Sequence, residues 1–250
     1  MLNGFSEAIS RALCYTAVMG AGARILMVML AAPYAAGAAA AAFSPATLAA
    51  AAITVMRAQH SYHYVSRELA PTNGGARVTL VGDASRTEGI QRITFSKGSR
   101  TGHVTVLVVA NTVYFRGDAF TLTNYMGFSA TEAASDAGKW LSLAHTTQGF
   151  STVAADVRLD SSSLAELKMP SSVRIVGGTV VRGQRVTGLR ATVHHANLIG
   201  VETLYVRATG SPLPVEDKVT VRGKVAVDIV FDGWGEPVHV TAPANAISLP

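Results

Sequence analysis

The sequence predicts an α+β, mostly β domain: a large curved antiparallel sheet with a few short helices against one face. Three observations carry this. From His60 onward the chain alternates apolar and polar residues with period two over most of its length. Turn-forming residues, among them Asn73-Gly74-Gly75, Gly89, Gly98 and Gly117-Asp118, punctuate the alternating runs, at a spacing of about 8–12 residues that suits hairpin-linked strands. Helical patterns are confined to three short stretches.

The first of these is residues 45–59, PATLAAAAITVMRAQ. Ser44 suits the cap, Pro45 the first turn, and Leu48, Ile53 and Met56 give an apolar face. The runs SYHYVSREL, ARVTLVGDAS, IQRITFSKGS and HVTVLVVANTVYFRG then read as strands. Val78 and Leu80 share one face while Arg77, Thr79 and Asp83 share the other, and Ile93 and Phe95 oppose Arg92, Thr94 and Ser96. Such strands are covered on one side and wetted on the other. Residues 131–139 and 160–167 read as the second and third helices, the latter with Leu164 and Leu167 on one side and Pro170 as its stop. Strands resume in SVRIVGG, TVVRGQR, LRATVHHAN, ETLYVRATG and KVTVRGKVAVDIVFDG, the last with Val225, Val227, Ile229 and Phe231 on one face. Three short helices cannot cover so many strands, so a cavity between sheet and helices is expected.

Composition bounds the rest. The chain has 250 residues and a formal charge of +5. Its basic residues form no stripe and do not interleave with aromatics, which argues against a nucleic-acid partner. Residues 25–42 carry no charge, follow Arg24 and end in Ala40-Ala41-Ala42; this is the pattern of a secretory signal. Residues 1–42 are therefore assigned as a signal peptide or N-terminal anchor, with Met19 a better-proportioned start than Met1, and residues 43–250 as the working domain. The run is short and proline-broken for a span, against the roughly 20 residues a membrane helix needs. The single cysteine, Cys14, has no lipidation context, so a mature domain begun at residue 43 has no thiol.

The sequence offers little that points to chemistry. No nucleophile elbow and no phosphate-binding glycine loop occurs. His194 and His195 are adjacent on a strand and would point to opposite faces, which argues against a shared metal. Asp83, Asp118, Asp136, Asp156, Asp160, Glu216 and Asp228 are scattered, with no spacing that singles out a carboxylate pair. The residues thus support neither an enzyme, nor a cofactor, nor a metal. The glycines of IVGGTVVRG read as hairpin residues. Tyr114, Phe115, Phe120, Tyr125, Phe128 and Trp140 read first as core.

Four phrases carry a family likeness: VYFRGDAFTLTNYMGFS with AGKWLSL, LYVRATGSPLPVE, and VFDGWGEPVHVTAPANAISL, the most specific being Ala208–Glu216 and Phe231–Pro243. In order and spacing the chain resembles the LppX/LprG-type lipoproteins of mycobacteria and related actinobacteria, within the LolA-like superfamily. The resemblance implies a half-barrel of about eleven antiparallel strands wrapped around helices, with a hydrophobic cavity for acyl chains. It also implies a periplasmic or envelope protein that carries a lipid or acylated glycolipid, with an inner-membrane transporter as a further partner and a monomeric state. One departure stands out: Phe43 lies where such proteins carry a lipidated cysteine. On this reading the cavity is lined by the inward positions Val78, Leu80, Ile93, Phe95, Val104, Val106, Leu164, Leu167, Val227 and Ile229, with Tyr125 and Trp140 near its mouth. The alternative is an envelope interaction module that partners a lipid transporter and holds no ligand of its own.

Overall fold

A computed structural model describes residues 44–69, 76–159, 169–170, 172–195 and 198–249. Residues 1–43, with the signal or anchor segment and Cys14, lie outside them, as do 160–168 with the third expected helix and with Leu164 and Leu167. Among the described residues no helix is long and apolar enough to cross a membrane.

The strands are β1 (Ser61–Leu69), β2 (Arg77–Ser85), β3 (Glu88–Lys97), β4 (Arg100–Val109), β5 (Thr112–Gly117), β6 (Leu141–Ala144), β7 (Arg174–Val181), β8 (Gln184–His195), β9 (Leu198–Arg207), β10 (Pro214–Val221), β11 (Lys224–Asp232) and β12 (Ile247–Ser248). They form one open, curved sheet in the order β12-β6-β5-β4-β3-β2-β1-β11-β10-β9-β8-β7. Every neighbouring pair is antiparallel except β12 beside β6. The order shows two meanders, one of β1 to β6 and one of β7 to β11, joined by the pairing of β1 with β11.

Three runs that read as single strands contain hairpin turns. HVTVLVVANTVYFRG turns at Ala110-Asn111, where Ala110 takes a positive φ of 51°. KVTVRGKVAVDIVFDG turns at Arg222-Gly223, with φ of 49° and 76°. The same Arg-Gly pair closes β7 onto β8 at Arg182-Gly183, with φ of 49° and 78°. Positive φ at both central residues matches the right-handed strand twist, and glycine at the second takes it without cost.

The helices lie on one face of the sheet. Helix α1 (Pro45–Ala58) is capped by the Ser44 side chain, which accepts from the Thr47 amide at 3.1 Å. Its buried centre is Ala49, Ala52 and Met56, with Leu48 and Ile53 only half-buried. The expected Leu-Ile-Met stripe is thus shifted, because small alanines let the helix approach the sheet closely. Helix α2 (Ala119–Asn124) is held by Asp118. Its carboxylate accepts from the Thr121 amide at 2.8 Å and from the His103 amide of β4, tying helix to strand. Helix α3 (Ala130–Asp136) starts with a reciprocal Ser129–Glu132 capping box. Helix α4 (Phe150–Val157) buries Phe150, Val153, Ala154 and Val157. Gly89 lets it settle: a Cβ there would stand 2.2 Å from the Val157 carbonyl oxygen.

Candidate functional site: the inner face of the sheet

Strand pairing decides which residues meet on the helix-covered face. Leu80, Ser66, Ile229, Asp217, Leu204 and Leu189 stand opposite one another in a single cross-strand row. The adjacent row runs Val78, Glu68, Val227, Val219, Glu202 and Ala191. Residues so paired project to the same side of the sheet.

Two separate apolar cores sit on this face. The larger joins β1 to β6 with α2, α3 and α4, and includes Leu80, Ile93, Phe95, Val106, Phe115 and Leu122. The smaller joins α1 to β8 and β9 through Ala49, Ala52, Leu189, Ala191, Leu204 and Val206. Helix α1 contributes Met56 to the first and its alanines to the second, so it bridges them. Between the cores the inner face is partly covered, most openly along β11, while Leu204 of β9 and Val215 and Val219 of β10 are buried. Val227, Ile229, Asp217 and Glu202 are half-buried there, whereas Leu80 and Leu189 on either side are 1 % and 0 % exposed.

The expected lining residues therefore divide. Val78, Leu80, Ile93, Phe95, Val104, Val106 and Tyr125 are brought together, but in the packed core beneath the short helices. Val227 and Ile229 line the half-covered strip. Trp140 does not join either group: it precedes β6, with the Arg116 guanidinium 5.0 Å from its ring centroid. His194 and His195 end β8, opposite Ile199 and Leu198.

Aromatic rings stand one row beyond the strip. Tyr64 pairs with Phe231, Tyr62 stacks on Trp234 at 5.2 Å between centroids, and Trp234 stacks on Phe231 at 5.8 Å. The indole Nε1 donates to the Pro214 carbonyl at 3.0 Å, which fixes the ring over the start of β10. Tyr64 reaches across Gly82, and its hydroxyl accepts from Gln91 Nε2 at 2.7 Å. Burial pushes the Tyr62 hydroxyl up to about 12 and raises Tyr64 and Tyr125 further.

What sequence reasoning missed is the polar content of the strip. Glu68 is 6 % exposed, and loss of solvation pushes its carboxyl up to about 7. Glu202 is moved to about 7 by the same cause. Asp217 is raised well above the usual carboxylate range, first by burial and then by the neighbouring Glu202 carboxylate. Asp217 keeps some exposed surface, yet its Oδ1 is out of reach of solvent and has no hydrogen-bond partner among the described residues. The Ser66 hydroxyl, in a residue 1 % exposed, is likewise unpartnered among them. None of these four was a candidate, because the register brings them together and their spacing along the chain does not. The available signal was parity: Glu68 continues the inward series Tyr62, Tyr64, Ser66, and Asp217 lies between Val215 and Val219.

The outer side of the sheet is different in kind. There His63 Nδ1 lies 2.7 Å from Asp83 Oδ1, in a cleft of 340 Å³ that the segment 233–239 helps to line. Among the described residues no group of three potential ligands is placed to hold a metal ion.

The class of protein so defined is an open antiparallel half-barrel with helices on its inner face. Its fold is that of LprF from Mycobacterium bovis: the TM-score is 0.54 at 13 % identity, over 80 % of this chain and 97 % of that one. The same comparison returns the lipoprotein LppX of Mycobacterium tuberculosis, with TM-score 0.47, 15 % identity and coverage of 79 % and 98 %. A LolA superfamily protein from Nitrosomonas europaea also matches, with TM-score 0.24, 9 % identity and coverage of 76 % and 91 %. No protein-family model and no curated protein matches the chain.

Proposed function

We propose that this chain is an exported carrier of the periplasm or cell envelope that holds the acyl part of a lipid or acylated glycolipid. Residues 43–250 form its lipid-binding domain and residues 1–42 its signal or anchor. The observation that supports this most is the half-covered strip of Val227 and Ile229 between two apolar cores that do not merge. An acyl chain laid along it would gain about 0.8 kcal/mol for each methylene taken from water. The carrier reading assigns no catalysis to the site. Purification of the full chain without detergent, followed by solvent extraction and mass spectrometry, tests it. About one lipid per folded chain is expected, and a folded chain free of lipid sinks the reading.

A second reading, an interaction module that partners a lipid transporter, is favoured by the edge strand β7. Its Ile175, Val176 and Val180 are 42 %, 42 % and 61 % exposed, and edge strands readily pair with other chains. A lipid-free chain that still captures a membrane transporter from envelope extracts would support it.

A further inference from the structure

Glu68, Glu202 and Asp217 present three carboxyls to one strip of the inner face. Asp217 and Glu202 sit diagonally on β10 and β9, since Asp217 opposes Leu204 and Glu202 opposes Val219. Glu68 stands in the same row as Glu202, with Val227 and Val219 between them. Those two rows contain no basic residue from β2 to β8. The charged groups nearest by register face outward: Arg67 pairs with Asp228 at 3.8 Å, and Lys218 with Glu216 at 3.3 Å. Helix α1, which packs over this half of the sheet, turns alanines toward it. Across Ile229 from Asp217, in the same row, the buried Ser66 hydroxyl has an unused hydrogen-bonding capacity among the described residues.

Buried carboxylates persist when a counter-charge is supplied. A neutral donor such as a hydroxyl would satisfy lone pairs but leave the repulsion between Asp217 and Glu202. An ammonium group does both. We infer that the strip is a cation subsite, and that the amphiphile carried here bears a protonated or quaternary ammonium group held by Asp217 and Glu202, with its apolar chain along Val227 and Ile229. This inference rests on the carrier reading and adds the chemistry of the polar end.

The test compares dodecyltrimethylammonium, dodecyl maltoside and dodecyl sulfate, each below its micellar concentration, by calorimetry on the delipidated full chain at pH 8. Tetramethylammonium, which has no chain, is the fourth probe. Dodecyltrimethylammonium should bind at least about tenfold more tightly than dodecyl maltoside. The shape-preserving double change Glu202→Gln with Asp217→Asn should abolish that preference and leave maltoside binding unchanged. Glu216→Gln, on the outer face, should leave the preference intact. Net charge cannot produce the result, because the protein is itself at +5. Equal affinity for the three amphiphiles, or a preference that survives the double change, overturns the cation subsite alone. Binding of tetramethylammonium as tightly as of its dodecyl counterpart overturns the combined chain-and-cation site. Failure of every amphiphile to bind overturns this inference and the carrier reading together.

Discussion

Replacing Glu68 by glutamine should make the protein more stable above the pH at which the unfolded carboxyl ionises, by an amount that grows until the native carboxyl ionises as well. Glu68 is almost fully buried between Val78 and Val227 in its cross-strand row. Its carboxyl is moved from 4.5 to about 7 by desolvation. A displacement of that size corresponds to about 3 kcal/mol against the charged form. The sign follows from proton counting. Between pH 4.5 and 7 the native state holds this proton more tightly than the unfolded chain, so stability falls as pH rises through that window. Below it the carboxyl is neutral in both states and costs nothing. Glutamine keeps the shape and cannot ionise. Urea denaturation at pH 4 and pH 8.5 should therefore show a difference near zero at the lower pH. At the higher pH the variant should gain up to about 3 kcal/mol, a ceiling because water entering the strip screens the charge. An identical difference at both values would refute the placement of Glu68 in a desolvated strip.

Further consequences follow from the same geometry. A Cβ on Gly82 would stand 2.4 Å from the Tyr64 ring, so Gly82→Ala should cost about 1–3 kcal/mol by overpacking, read from the urea midpoint. Asp118→Ala removes the cap of α2 and its tie to the His103 amide; a loss of about 1–2 kcal/mol is expected in the same assay. Ile229→Trp should fill the strip and lower the extracted lipid severalfold, while the far-ultraviolet circular dichroism stays unchanged.

Much of the sheet was legible because one face is covered and the other wetted, so alternation persists over each strand. β1 is Ser61–Leu69 in both readings, and the inward set Val78, Leu80, Ile93 and Phe95 is buried as alternation requires. The hairpins at Ala110-Asn111 and Arg222-Gly223 were harder, since a tight turn between two valine-rich strands hardly interrupts the pattern. Helices α2 and α4 escaped because six and eight residues offer few turns and neither opens with a capping box like that of α3. Their caps, Asp118 and Gly149, read equally well as loop residues. The acids of the strip were least legible. Glu68, Glu202 and Asp217 come from three strands, and only long-range pairing puts them on one surface.

The central claim, that an acyl chain lies along the inner face of β9 to β11 between the two cores, is tested most directly by photo-crosslinking. A neutral alkyl maltoside with a diazirine on its chain, bound to the full protein and irradiated, can be located by peptide mapping. Labelling is expected within residues 200–206 and 215–231, reduced by Ile229→Trp. Labelling confined to the exposed β7 edge around Ile175 and Val180, or to the outer face near His63 and Asp83, would contradict it.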